Sequence, residues 1–253
     1  MFSNPNLAAR VSFLLLVILL YFAAESEGRR KVFFFLSLLV SLLILSSMSR
    51  ANIISTLFVW GLWCVLLLSR KKMIVMLSVF SISLVLITMF NHNLYDRFVS
   101  VSDYSFFSDE NRRSRTWNAS YSIFIENPYF GIGKYSELEE YRKHGSFTSN
   151  TAQKGKVITT HGGFLKVIVY TGFIGLVAFL LFYIALFSLF FKNYKNNSSD
   201  KTASAMGMIT LIGLIPMNLG ADAFGLSITW FVIALFLKLI QKNNYTKLSM
   251  SRA

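Results

Sequence analysis

Long apolar runs constrain this chain more than any other feature of its sequence. A helix that crosses a membrane needs roughly 17–25 mostly apolar residues; several runs meet that length outright and the others come close to it. Hydrophobic residues make up 54% of the chain and charged residues only 15%, which is unlike an ordinary globular domain. The sequence therefore predicts an all-α, polytopic membrane protein with about seven transmembrane helices. The predicted spans are residues 7–24, 32–48, 51–69, 73–90, 163–191, 204–219 and 224–240.

Basic residues lie mainly at the ends of the apolar runs, and this distribution accounts for the net charge of +13. In a soluble protein such a charge would indicate nucleic-acid binding, whereas here it orients the chain in the membrane. The connectors at 25–31, 70–72 and 192–201 and the tail at 241–253 are all basic. They fall on the cytoplasmic side together only if the N-terminus lies outside. The alternative, that the first run is a cleaved signal peptide, is disfavoured by the bulky Phe22 near the required cleavage site.

This topology divides the chain into three parts. Residues 1–90 would form four transmembrane helices, residues 91–161 an external (periplasmic) loop, and residues 162–253 three transmembrane helices and a cytoplasmic tail. Because the rest of the chain is predicted to form helices within the membrane, chemistry that needs charge and water is expected in or beside the loop.

The loop contains signals for two short helices. Aromatic residues at 117, 121 and 124 have a helical spacing, and Asn127 followed by Pro128 should end that helix. The segment 131–133, Gly-Ile-Gly, permits a tight turn. A capping box at 136–139 predicts a second helix that extends to about residue 144. Residues 145–158 are interpreted as either a lid or a solvated connector.

Three residues are candidates for chemistry. Arg50 lies between two apolar runs, where an arginine either reaches lipid headgroups or binds an anion. Arg115 belongs to a basic cluster that either contacts the membrane surface or stabilises the charge of a diphosphate leaving group. His161 lies where the loop re-enters the membrane, and it could cap a helix or accept a proton from a hydroxyl at neutral pH.

The other ionisable residues are assigned structural roles or no specific role. Cys64 lies within an apolar run and is expected to pack there, and one cysteine excludes a disulfide within the chain. Glu126 and Asp222 are interpreted as turn residues that could also pair with an arginine or a histidine, and His92 and His144 are interpreted as incidental. No ligand spacing indicates a metal.

Four motifs share an order and a setting along the chain. They are N-P-N-L-A (4–8), S-R-A (49–51), S-R-T-W-N-A-S-Y-S-I-F-I-E-N-P-Y-F-G-I-G (114–133) and H-G-G-F-L-K-V-I-V-Y-T-G-F-I-G (161–175). Taken together they resemble the O-antigen ligase and polymerase family of bacterial envelope polysaccharide enzymes. Each motif is short, and it is their common order over nearly the whole chain that makes the resemblance specific.

The resemblance implies a glycosyltransferase of the bacterial inner membrane, embedded among its lipids, that needs no metal or other cofactor. It would move a glycan from an undecaprenyl-diphosphate donor to an acceptor hydroxyl on the periplasmic side. The acceptor would be lipid A-core for a ligase or a growing glycan for a polymerase. By the same resemblance, Arg50 and Arg115 would bind the diphosphate, and His161 would be the catalytic general base or would position the acceptor.

Two departures from the family keep alternatives open. Gly162 stands where members usually have an asparagine after the histidine, and the chain begins at a motif that lies mid-chain in the family. Missing N-terminal helices are therefore expected, and an inactive truncated member is one alternative. A transporter or flippase for an anionic lipid-linked glycan is the other, although it predicts charges within the spans, where few occur.

Overall fold

The computed structural model describes residues 5–47, 49–68, 74, 112–146, 157, 159–160, 162–196, 200–220 and 222–250. Within these residues the regular structure consists of eight α-helices, which confirms the all-α prediction for this part of the chain. The helices are α1 (Pro5–Glu25), α2 (Arg30–Ser46), α3 (Arg50–Leu67), α4 (Arg112–Glu126), α5 (Glu137–Lys143), α6 (Gly163–Lys195), α7 (Lys201–Gly220) and α8 (Ser227–Met250).

Six of the predicted spans coincide with helices, and the seventh, 73–90, lies outside the described residues apart from Ile74. Among the described residues, three helical stretches are long and apolar enough to cross a membrane, namely Leu7–Glu25, Gly163–Lys195 and Lys201–Leu219. Ala51–Leu67 and Ser227–Gln241 are apolar but shorter. The count of seven spans and the external position of the loop therefore stay predictions. Helix α8 also continues to Met250, well into the segment that was expected to be a cytoplasmic tail.

The chain divides into two compact units, and the first comprises residues 1–81 and 183–253. Of the three long apolar stretches, Lys201–Leu219 in α7 is the most buried, with 72% of its apolar segment inside the protein. Gly213 of α7 has no room for a side chain, because a Cβ there would lie 2.7 Å from the ring of Phe13 in α1 and 2.9 Å from Val59 in α3. The small residue lets three helices pack closely in one layer of this unit.

Polar side chains fix the helix pairs of the first unit. The indole nitrogen of Trp60 in α3 donates to Ser41 Oγ of α2 at 2.9 Å, and that of Trp63 donates to the carbonyl of Leu20 in α1 at 3.2 Å. Both contacts are buried, so each gives an indole N–H the acceptor that its burial requires. Cys64, the residue after Trp63, is buried as well, as its predicted packing role requires.

The connection between α7 and α8 is built around Asn218. Its Oδ1 accepts from the backbone amides of Ala223 at 2.9 Å and Phe224 at 3.0 Å, while its Nδ2 donates to the carbonyl of Leu214 at 2.8 Å. Asp222 is a turn residue, as predicted, because its carboxylate accepts from the amide of Gly225 at 2.8 Å. One buried amide side chain thus gives two amides of the connecting loop their acceptor and also donates to a carbonyl of α7.

Replacing Asn218 with alanine should lower the free energy of unfolding by about 2–4 kcal/mol, because two buried amides lose their acceptor. Asn193→Ala is the matched control, since Asn193 Nδ2 also donates to the carbonyl four residues earlier, that of Leu189, but at an exposed position. Thermal unfolding of the two variants in detergent measures the difference. Equal losses would contradict the assigned role of the Asn218 oxygen.

Candidate functional site

The second unit comprises residues 82–182, and its described part is organised around helix α4. The predicted helix is confirmed, and it ends at Glu126, immediately before Asn127 and Pro128. Its buried face, however, consists of small or branched residues at i, i+3, i+4 and i+7, which are Thr116, Ala119, Ser120 and Ile123. Of the three aromatic residues from which the helix was predicted, Trp117 and Tyr121 lie on the exposed face and Phe124 is partly buried. Small side chains occupy the buried face because they allow a neighbouring helix to approach closely.

Helix α5 occupies residues Glu137–Lys143, within one residue of the predicted second helix. The predicted capping box is wrong: Ser136 is the N-cap residue, but its side chain makes no capping hydrogen bond. Three glutamates in the first turn and Arg142 and Lys143 in the last turn instead favour the helix through the interaction of charged side chains with its dipole.

The core between these elements contains Ala119 and Ile123 of α4, Tyr141 of α5 and Val169 of α6, each at most 3% exposed. Tyr141 is the largest of the four and is fully buried. Around them pack the partly buried Ile132, Val157, Ile168 and Tyr170. The second unit therefore has a small hydrophobic core of its own, which brings α4, α5 and the beginning of α6 together.

A chain of hydrogen bonds crosses this core. The hydroxyl of Ser120 donates to the carbonyl of Thr116 at 2.6 Å and lies 2.6 Å from the hydroxyl of Tyr141. A serine has one proton to donate, so Tyr141 is the donor to Ser120. Two successive bonds therefore run from Tyr141 through Ser120 to the carbonyl of Thr116.

Tyr141 stays protonated throughout the physiological range, which its role as a donor requires. Burial and, to a smaller extent, the nearby carboxylate of Glu137 raise the pKa of Tyr141 to about 12. Both effects disfavour the phenolate, the first by desolvation and the second by like-charge repulsion. The phenol is therefore a permanent hydrogen-bond donor at neutral pH.

Helix α6 is interrupted at Gly172, whose φ of 64° and ψ of −162° lie outside the helical region. The segment after α4 fills the interruption. The amides of Phe173 and Ile174 donate to the carbonyls of Pro128 at 2.7 Å and Tyr129 at 3.3 Å. In the opposite direction, the amide of Ile132 donates to the carbonyl of Val169 at 3.0 Å. A fourth bond joins the amide of Gly133 to the carbonyl of Tyr170 at 2.9 Å, so the loop replaces the bonds that the broken helix cannot make.

Two glycines make this backbone contact possible. Gly131 has a φ of 65°, and a Cβ on it would lie 2.5–2.6 Å from backbone atoms of Val169, Tyr170 and Thr171. A Cβ on Gly172 would overlap the carbonyl group of Tyr129. The sequence indicated a tight turn at 131–133, but it did not show that the turn lies against a break in α6.

Alanine variants of Gly131 and Gly133 separate the cost of a positive φ from the cost of the close approach between the two backbones. Both residues have positive φ, but a Cβ on Gly133 would meet nothing within 4 Å. Each alanine should cost about 1–2 kcal/mol for the left-handed conformation, and Gly131→Ala should cost at least about 1 kcal/mol more because it separates the two backbones.

Thermal unfolding in detergent measures the two costs, and hydrogen exchange of the Ile132 amide should accelerate only in Gly131→Ala. Equal stability and equal exchange in the two variants would show that the close approach contributes nothing.

The three predicted site residues lie in different parts of the chain, and the structure describes them to different extents. Arg115 lies in the first turn of α4 and is partly buried. Arg50 is the first residue of α3, in the other unit, and His161 lies outside the described residues. The residues on either side of it, Thr160 and Gly162, are buried, and the Gly162 amide donates to Thr160 Oγ1 at 3.4 Å. The geometry of a site formed by all three residues stays a prediction.

One group with metal-ligand chemistry was not found from the sequence. Glu126, Glu140 and His144 place a carboxylate or imidazole atom each within 4.8 Å of the others. His144 Nε2 lies 3.2 Å from Glu126 Oε2, so Glu126 pairs with a histidine, which was one of the roles considered for it, whereas His144, interpreted as incidental, has a specific partner. Lys143 Nζ lies 2.7 Å from Glu140 Oε1 and already neutralises that carboxylate, and the Glu126 side chain is 57% exposed. The group is accounted for as a surface ion-pair cluster.

The described residues define a class of protein: their regular structure is helical, three helices are long and apolar enough to cross a membrane, and a small helical unit packs against a broken helix. The O-antigen ligase family matches residues 33–180, which is more than half of the chain. The protein therefore belongs to the O-antigen ligase family, as the sequence motifs indicated, and with it to the bacterial membrane glycosyltransferases of ligase or polymerase type. No curated protein sequence matches this chain.

Proposed function

We propose that this protein transfers a glycan from an undecaprenyl-diphosphate carrier to an acceptor hydroxyl at the periplasmic face of the inner membrane. The acceptor is lipid A-core if the protein is a ligase and a growing glycan if it is a polymerase. The observation that carries the proposal is the family match over residues 33–180, a range that includes positions 50, 115 and 161.

In the proposed reaction the acceptor hydroxyl attacks the anomeric carbon of the glycan. A new carbon–oxygen bond forms, the bond between that carbon and the diphosphate oxygen breaks, and undecaprenyl diphosphate leaves with the electron pair. His161 accepts the hydroxyl proton, since a neutral imidazole can act as a general base at neutral pH. Arg50 and Arg115 bind the diphosphate and stabilise the negative charge that develops on it.

The described structure supports a role for Arg115 in one respect. The helix that carries it is held at its C-terminal end by the backbone contact with α6 and along its buried face by the core of the second unit. A charged group that must meet a leaving group in one geometry is most effective on such a supported element. The beginning of α4 is also basic and lacks acidic residues in its first turn, which suits an anion.

Alanine variants of Arg50, Arg115 and His161 test the proposal in a strain from which the chromosomal gene has been deleted. Each should reduce the polysaccharide ladder at least about 100-fold, the usual scale for loss of a general base or a charge-stabilising donor. Arg142→Ala, at an exposed position of α5, and His92→Ala are the matched controls and should restore the ladder fully.

Full ladders from both Arg115→Ala and His161→Ala, at normal protein level, would refute the assigned roles. Lipid-linked glycan that accumulates on the cytoplasmic face of the deletion strain would instead indicate a flippase.

A further inference from the structure

We infer that one side of α4 and the loop after it form a membrane-docking surface. This surface lies at the boundary between the hydrocarbon and the headgroups of the bilayer that α6 crosses. Its residues are large, apolar or aromatic, and exposed: Trp117, Tyr121, Ile125, Tyr129 and Phe130. The placement follows from the sides of α4, from the loop and from the length of α6, and it holds whatever reaction the protein catalyses.

The part of α4 that faces away from the core has two different sides. Trp117, Tyr121 and Ile125 recur every four residues and form an apolar stripe along the helix. Each of them is followed, about 100° further round the helix, by a polar residue, such as Ser122 and Glu126. A helix that lies in a bilayer surface needs this division, because its apolar side enters the acyl boundary while its polar side stays in water.

Two more exposed aromatic residues follow in the loop. Tyr129 and Phe130 are 67% and 78% exposed, although the backbone of this segment is bonded to α6. Phe173 and Ile174, whose amides donate to the same segment, are exposed as well. So many large apolar side chains on one helix side and beside one backbone contact indicate an interaction surface rather than isolated exposed residues.

The length of α6 sets the depth of this contact. Gly172 divides the helix, and its second part begins at Phe173 and has Lys192 and Lys195 in its last turn. The mostly apolar stretch between these ends is about 19 residues, or about 28 Å of helix, which matches the roughly 30 Å hydrocarbon core of a bilayer. Residues 163–171 alone are too short to cross. With the two lysines among the headgroups of one leaflet, the break lies at the boundary of the other.

These observations favour lipid as the occupant of the surface. The loop is bonded to α6 directly after the break, so Tyr129 lies at the depth of the boundary. Only 6% of the apolar segment of α6 is buried inside the protein, which leaves the neighbouring surface to lipid. Tryptophan and tyrosine favour this depth, because their rings are apolar while their N–H and O–H groups bond to water or headgroups.

Docking would also fix the depth of Arg115, which lies in the first turn of α4. That depth is the level of lipid phosphates. Under the proposed function, on which this consequence alone rests, the diphosphate of a membrane-anchored donor lies at the same level.

Spin labels on single cysteines test the docking in the full-length protein, reconstituted in liposomes of phosphatidylethanolamine and phosphatidylglycerol. Cys64→Ala removes the native thiol, and Tyr121→Cys or Phe130→Cys carries the label, each at an exposed position. Accessibility to a water-soluble nickel chelate and to oxygen is measured by power saturation. Both labels should lie within about 10 Å of the hydrocarbon boundary, with nickel accessibility at least about threefold below that of Ser122→Cys.

Ser122→Cys is the matched control, because it is next to Tyr121 but on the polar side of α4. Leu181→Cys, at an exposed position within the apolar stretch of α6, calibrates the bilayer interior. Nickel accessibility at Tyr121→Cys and Phe130→Cys equal to that at Ser122→Cys would overturn the inference. Shielding of both labels from nickel and oxygen alike would also overturn it, since protein would then cover the surface. Activity is not read, so failure of the proposed function is a separate outcome of the ladder assay.

Discussion

The backbone contact between residues 128–133 and the interruption of α6 determines how the second unit is arranged. A helix broken at Gly172 exposes amides and carbonyls that would be costly to bury without partners, above all in a chain that lies in lipid. Four hydrogen bonds from the loop satisfy those groups. The loop and the break therefore depend on each other: without the loop the break would be unfavourable, and without the break the loop would have no partner for its own amides.

A second constraint acts further along α4. The contact at α6 fixes the residues that follow the helix, whereas Tyr141 and Ser120 fix its buried face about two turns before that end. A helix that is restrained at two separated points cannot easily slide or rotate. Hydrogen bonds resist both movements more strongly than side-chain packing alone does. Arg115, in the first turn, is therefore carried by a helix that is restrained at two points.

Sequence reasoning predicted those features that local chemistry determines. Asn127 and Pro128 end α4 because the residue before proline disfavours helical dihedrals, and Gly131 adopts the positive φ that a tight turn needs. It failed where partners distant in sequence decide the outcome. Ser136 heads α5 without a capping bond, the exposed face of α4 carries the aromatic residues, and Tyr141 gave no signal at all. Gly172 belongs to the motif at 161–175, but only its contact with Tyr129 explains why this residue is glycine.

The direct contact of backbone with backbone has a mechanical consequence for a reaction at the membrane surface. Two helices that meet through their side chains are about 8–10 Å apart, and their relative position depends on how those side chains pack. Here the atoms of Gly131 and Gly172 lie where side chains would otherwise intervene, and hydrogen bonds set the register between loop and helix. The proposed transfer needs a diphosphate-binding group and a proton acceptor at a constant separation while a long lipid and a glycan enter and leave. A register fixed by the main chain meets that need without demanding a large soluble core, which this small unit does not have.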